Sequence, residues 1–117
     1  MTTTTPTYFP ADLVRMILVS KWGYEQTNVC YYRIERASPA TVWLRRIQTD
    51  AAPTGDGMRG TRQPKRDEDG RPIPMKGAEL MRRKLAIDST GDPCIKIDSY
   101  EYARPWNGQP QEYTAYA

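Results

Sequence analysis

"VCYYRIERASPATVWLRRI", Val29 to Ile47, is the stretch that decides the fold. Successive side chains of an extended chain point to opposite faces. Cys30, Tyr32 and Ile34 therefore share one face, and Tyr31, Arg33 and Glu35 share the other. A period of two over this length predicts a half-buried strand. Ser38-Pro39-Ala40 interrupts it, and proline presets the backbone for a turn. Thr41 to Ile47 then alternates again, with Val42 and Leu44 one way and Trp43, Arg45 and Ile47 the other. Two runs rich in β-branched and aromatic residues, joined by so short a turn, predict an antiparallel hairpin.

Working outward, "ADLVRMILVS" (11–20) predicts a strand over Met16 to Ser20, with a short helix before it left open. "LMRRKLAID" (80–88) reads as a strand or a short helix. "CIKIDSYEYA" (94–103) alternates and predicts one strand, bounded by turns at "STGDP" and the Asn-Gly of "PWNGQP". "QEYTAYA" (111–117) predicts a short last strand. Residues 1–10, "MTTTTPTYFP", read as a frayed tail ahead of a single domain over 11–117. Residues 49–78 are rich in Gly, Pro and charge and predict a disordered loop, with a local hairpin turn at Asp69-Gly70. The sum is a mainly β chain: a small antiparallel curled sheet or SH3-like barrel with one long basic loop insertion.

"SKWGYEQTN" (20–28) then links the first strand to the hairpin. Gly23 permits a positive φ between two bulky rings. Trp22, Gly23, Thr27 and Asn28 are expected to build this loop, with Trp22 plugging the barrel end. Tyr24, Glu25 and Gln26 are its candidate contact residues, because loops on rigid scaffolds carry binding sites.

The stretch "SKWGYEQTNVCYYRI" resembles S-W-G-Y-D/E-Q-T-N-V-D-F-Y-x-V, a motif of small, largely uncharacterised proteins of bacteriophages, plasmids and other mobile elements. The resemblance extends to "TVWLRRI" and to "IKIDSYEYARPWNGQP", similar to the closing segment I-x-S-Y-x-x-A-x-x-W-D/N-G-K/Q-P. Cys30 stands where that family usually has an acidic residue, and the Gly-Asp pair that often opens its first strand is absent. The resemblance implies a phage or mobile-element origin and a small β-rich fold. It implies no reaction.

Composition narrows the chemistry. The chain has no histidine, so Ser-His-Asp and Cys-His pairs are out, and Cys30 and Cys94 make no ordinary zinc site. "GDGMRG" (55–60) lacks the strand and the Lys-Ser/Thr end of a phosphate loop. Asp88, Asp92, Asp98 and Glu101 are the one candidate carboxylate cluster, and such groups near turns usually cap or face water. The expectation is a protein that is not an enzyme and takes no cofactor or metal. The run Leu13 to Val19 is too short to span a bilayer and carries Arg15, and no signal segment is read. Reduced thiols in the cytoplasm of a bacterial host follow as the expectation.

Net charge is +3. Arg59, Arg62, Lys65, Arg66, Arg71, Lys76, Arg82, Arg83 and Lys84 outweigh Asp67, Glu68, Asp69 and Glu79 between residues 59 and 84. A basic arm gains affinity for phosphate by releasing counterions. On the hairpin Arg33, Arg36, Arg45 and Arg46 lie near Tyr31 and Trp43, and cations interleaved with rings suit single strands. The candidate partner is nucleic acid, single-stranded by preference. The alternative is a host protein, a defence or replication factor, because an exposed Trp-Tyr-Arg patch is also the composition of a protein hot spot.

Overall fold

The hairpin forms as its alternation requires. In a computed structural model, which describes residues 10–23, 27–53, 55 and 58–114, β2 is Asn28–Ala37 and β3 is Thr41–Ile47. They pair antiparallel from Tyr31↔Ile47 to Ala37↔Val42, with a register shift between Ile34 and Arg36. Ser38 closes the turn: its backbone N–H donates to the Thr41 carbonyl at 2.8 Å, and its hydroxyl accepts from the Thr41 N–H at 3.2 Å. β1, Ile17–Trp22, lies along the other side of β2.

Before β1 the chain makes one turn of helix, α1, Pro10–Leu13, the element the sequence left open. Arg15 ends it in the left-handed region at φ 76, where helices commonly terminate. Its N–H donates to the Ile34 carbonyl at 2.7 Å, which seats Leu13, fully buried, at one end of the sheet's interior.

Three more strands complete this sheet among the described residues: β6 (Met81–Lys84), β7 (Ile95–Asp98) and β8 (Glu101–Pro105), in the order β6-β3-β2-β1-β8-β7. The run Cys94 to Ala103 is thus a hairpin and not one strand, with Ser99-Tyr100 as the turn and a register shift between Lys96 and Asp98. The sheet curls until its two edges nearly meet. Arg83 spans the remaining seam, its Nε donating to the Ile97 carbonyl at 3.1 Å. Inside lie Leu18, Cys30, Ile34, Val42, Leu44, Ile95 and Ala103, the inward set of each strand. Fully burying a Leu, Ile or Val side chain of this set stabilises a fold by about 1.5–3 kcal/mol.

Residues 49–78 are not one structureless loop. They carry β4 (Thr49–Pro53) and β5 (Arg59–Pro64), which form a second sheet with β9 (Gln111–Thr114) in the order β4-β5-β9. Beyond β5, Arg66 bridges Pro72 around the expected turn, where Gly70 takes φ 79. Ile47 bridges Pro74, tying the segment to the end of β3.

The second sheet covers the outer face of β2. Val29, Tyr31, Ile47 and Tyr113 form a second core, flanked by Ile17, Val19 and Trp106. Tyr31 is fully buried, its hydroxyl donating to the Arg62 carbonyl at 2.7 Å and its ring edge-on to Trp106 at 5.6 Å. Gly60 is the tightest point: a Cβ there would lie 2.5 Å from the Ala52 carbonyl oxygen and 2.8 Å from the Tyr113 ring. β4, β5 and β9 close together only because that atom is missing.

Two stability outcomes follow. Tyr31→Phe is expected to cost about 1 kcal/mol, one hydrogen bond, and Tyr31→Ala about 3–5 kcal/mol, a ring and its cavity, in urea denaturation. A Tyr31→Ala cost near zero would contradict the second core. Gly60→Ala is expected to lower stability despite replacing only a hydrogen, and an unchanged unfolding midpoint would refute the close approach.

Candidate functional site

The second sheet leaves part of the outer surface of β2, β3 and β6 uncovered. Register places Arg36 beside Trp43 and Trp43 beside Arg82, one row across three strands. The Arg36 guanidinium carbon stands 4.7 Å from the Trp43 ring centroid and that of Arg82 5.8 Å. Cations at such distances are drawn to the ring's negative face. The next row pairs Arg33 with Arg45, and Lys84 stands opposite Thr41. Like charges directly opposite repel. Arg45 relieves this by an ion pair with Glu35 at 3.0 Å and a bond from its Nη1 to the Ala78 carbonyl at 2.8 Å. The Trp43 ring and these cations are therefore carried on paired strands.

The sequence candidates divide. Arg33, Trp43, Arg45, Arg82 and Lys84 come together on this surface, with Arg36 among them. Arg62 and Arg66 belong to the second sheet and its turn, where they lie over the Tyr113 and Trp106 rings at 4.7 and 5.9 Å. Lys65 sits exposed beside them. Arg83 takes the opposite phase to Arg82 and Lys84 and is used at the seam. Tyr31, expected on an exposed aromatic face, is instead fully buried in the second core, because β5 and β9 roof it. Tyr24, Glu25 and Gln26 lie outside the described residues.

The loop residues also find their places. Trp22 is half-buried against the barrel core, and Gly23 takes φ 129. Thr27 is bound to β9, its N–H donating to the Thr114 hydroxyl at 2.7 Å and its carbonyl accepting from the Thr114 N–H at 3.1 Å. Asn28 opens β2 opposite Trp22. Part of the loop's bonding thus goes to the second sheet and not to itself.

The barrel also holds a polar group whose burial the sequence reading missed. Glu101 is 7% exposed, and one of its carboxylate oxygens accepts from both the Ser20 hydroxyl at 2.5 Å and the Tyr32 hydroxyl at 2.6 Å. A buried carboxylate needs such donors, since water is no longer there to solvate it. The available signal was phase: Ser20 and Tyr32 each occupy an inward position of an alternating strand. The expected carboxylate cluster is not assembled, since Asp88 instead bonds within its own turn to Thr90. Bonds from Thr90 and Asp92 hold the Asp88 carboxyl below its ordinary value. A hollow of about 550 Å³ opens at this barrel end, lined in part by Tyr32, Arg46, Lys76, Met81 and Arg83. Ser20 is only 1% exposed, and the trio ties strands β1, β2 and β8 together.

Burial pushes the Tyr31 phenol up to about 12. Burial first, and then the Glu101 bond and charge, push Tyr32 higher still. No family model, curated protein or solved structure matches this chain.

A phenol whose folded value is raised contributes stability that is fully present below the ordinary value of about 10 and is lost as pH climbs toward the folded value. Alkaline titration followed by phenolate absorbance is therefore expected to leave Tyr31 and Tyr32 un-ionised at pH 10. They are expected to ionise at higher pH, together with unfolding. Complete ionisation near pH 10 in a folded protein would contradict the burial of Tyr31 and Tyr32.

Proposed function

We propose that this protein binds nucleic acid, single strands by preference, on the uncovered surface of β2, β3 and β6. The observation that carries the reading is the row Arg36–Trp43–Arg82, flanked by Arg33, Arg45 and Lys84. One ring set among cations gives a base a stacking surface and phosphates a counter-charge. Small barrels and curled sheets offer stiff platforms of this kind. Sequence position alone had included the whole basic segment. Arg62 and Arg66 stand on the second sheet and its turn, apart from the Arg36–Trp43–Arg82 row, so the proposed contact centres on the row and takes Lys65 only at its margin.

The role proposed is that of a non-enzymatic accessory protein, and the resemblance of Ser20 to Asn28 to the mobile-element motif supports a bacterial host as its setting. No described helix is long and apolar enough to cross a membrane. A host protein is the competing partner, since Trp and Arg are also hot-spot residues.

Fluorescence anisotropy of labelled oligothymidylate, duplex DNA and RNA, at several salt concentrations, tests this. Affinity for a single strand is expected to fall with salt by about 0.7 in the log–log slope per phosphate contacted. Arg36→Ala with Arg82→Ala, both exposed, is expected to weaken binding and flatten that slope. No binding at low salt, or binding that ignores both salt and these substitutions, overturns the reading and turns attention to a protein partner.

A further inference from the structure

The two most exposed aromatic side chains among the described residues are not on that surface. They are Tyr100, 62% exposed, and Tyr102, 46% exposed, on the hairpin of β7 and β8. Tyr100 occupies the turn, a position where hairpins favour Asn or Gly and where the backbone makes no use of a ring. It stands as a ridge between two hollows. One, of about 410 Å³, is lined by Val19, Lys21, Tyr100, Tyr102, Arg104 and Gln111. The other, of about 580 Å³, is lined by Lys21, Trp22, Gly23 and Tyr100. Lys21 borders both, and no carboxylate lines either among the described residues.

The parts have separate functions. Trp22 tilts at 52° to Tyr100 with centroids 5.5 Å apart, so the ridge is braced from one side by a ring that is itself packed on the core. Tyr102 stands in register with Lys96, and Arg104 with Val19. Outward positions of β1, β7 and β8 thus supply Lys21, Lys96 and Arg104, with Asp98 as the acid on the same surface. Cys94 first, and then the Asp88 carboxylate, hold the Arg104 guanidinium above its ordinary value, so it stays charged.

We infer that the ridge at Tyr100 is a base-stacking site, in which two successive nucleotides of a single strand lodge on either side of the ring while Lys21 and Arg104 take their phosphates. The inference rests on the nucleic-acid reading above and adds a site to it. Each hollow has a volume within the range of ordinary ligand sites. The cations match a phosphate backbone, and every base has a flat face that suits a ring whatever its sequence. The arrangement is single-strand specific, because paired bases are not free to splay around a ridge.

The test uses full-length protein, oligothymidylate, and an abasic oligonucleotide of equal charge. Tyr100→Ala is expected to weaken oligothymidylate binding about tenfold without changing the salt slope, as loss of one stacking ring does. Tyr100→Phe is expected to bind like the parent. The abasic strand is expected to bind the parent more weakly than oligothymidylate binds Tyr100→Ala, because it loses stacking on Trp43 as well as on Tyr100. Lys21→Ala is expected to flatten the slope by about 0.7. If oligothymidylate binds and Arg36→Ala with Arg82→Ala weakens it, but Tyr100→Ala does not, the ridge inference is overturned and the sheet reading stands. If the parent binds no oligonucleotide, both fall. Equal binding of the abasic strand and oligothymidylate overturns the stacking role.

Discussion

Strand β2 is buried on both faces, and the rest of the molecule is arranged around that. Tyr31 and Tyr32 are neighbours in sequence and point into different cores, one under the second sheet and one inside the barrel. Each ring brings a hydroxyl that must be satisfied away from water, and each finds an acceptor: the Arg62 carbonyl for Tyr31 and the Glu101 carboxylate for Tyr32. Those two bonds join β2 to β5 and to β8. A strand fixed from both sides cannot slip in register, since a one-residue slip would exchange the two cores.

That constraint also decides what remains outside. The second sheet occupies the outer face of β2 near Tyr31 and leaves the stretch beyond Arg33 bare. The bare part carries the Arg36–Trp43–Arg82 row, on a backbone that the two cores hold stiff. A stiff display of charge and rings loses little freedom when a ligand arrives. The Tyr100 ridge sits at the far side of β1 and shares the same support through Trp22.

The hairpin was legible because alternation is a local property, visible in Val29 to Ile47 alone. The burial of Tyr31 was not. Alternation says which residues share a face, and it does not say whether a second layer covers that face. The layer comes from Arg59–Pro64 and Gln111–Thr114, whose polar sequences give no apolar stripe and which are joined by backbone pairing and the Gly60–Tyr113 contact. Cys94 to Ala103 read as one strand because its alternation continues through Ser99 and Tyr100 with no Gly or Asn to mark the turn. Of the hairpin cations, Arg33 and Arg45 share a face by period, Arg36 joins them only through the register shift after Ile34, and Arg46 lines the hollow at the barrel end. Those of residues 59–66 were counted as available for phosphate, and a charge count does not reveal that Arg62 and Arg66 lie over rings.

The most direct measurement of where a ligand sits is a heteronuclear NMR titration of isotope-labelled protein with oligothymidylate. The account predicts that the Trp43 indole N–H, the Arg36 and Arg82 amides, and the amides around Tyr100 shift together, while Leu44, Ile34 and the second core around Tyr31 stay in place. Shifts confined to Arg62, Lys65 and Arg66, or no shifts at all, would contradict it.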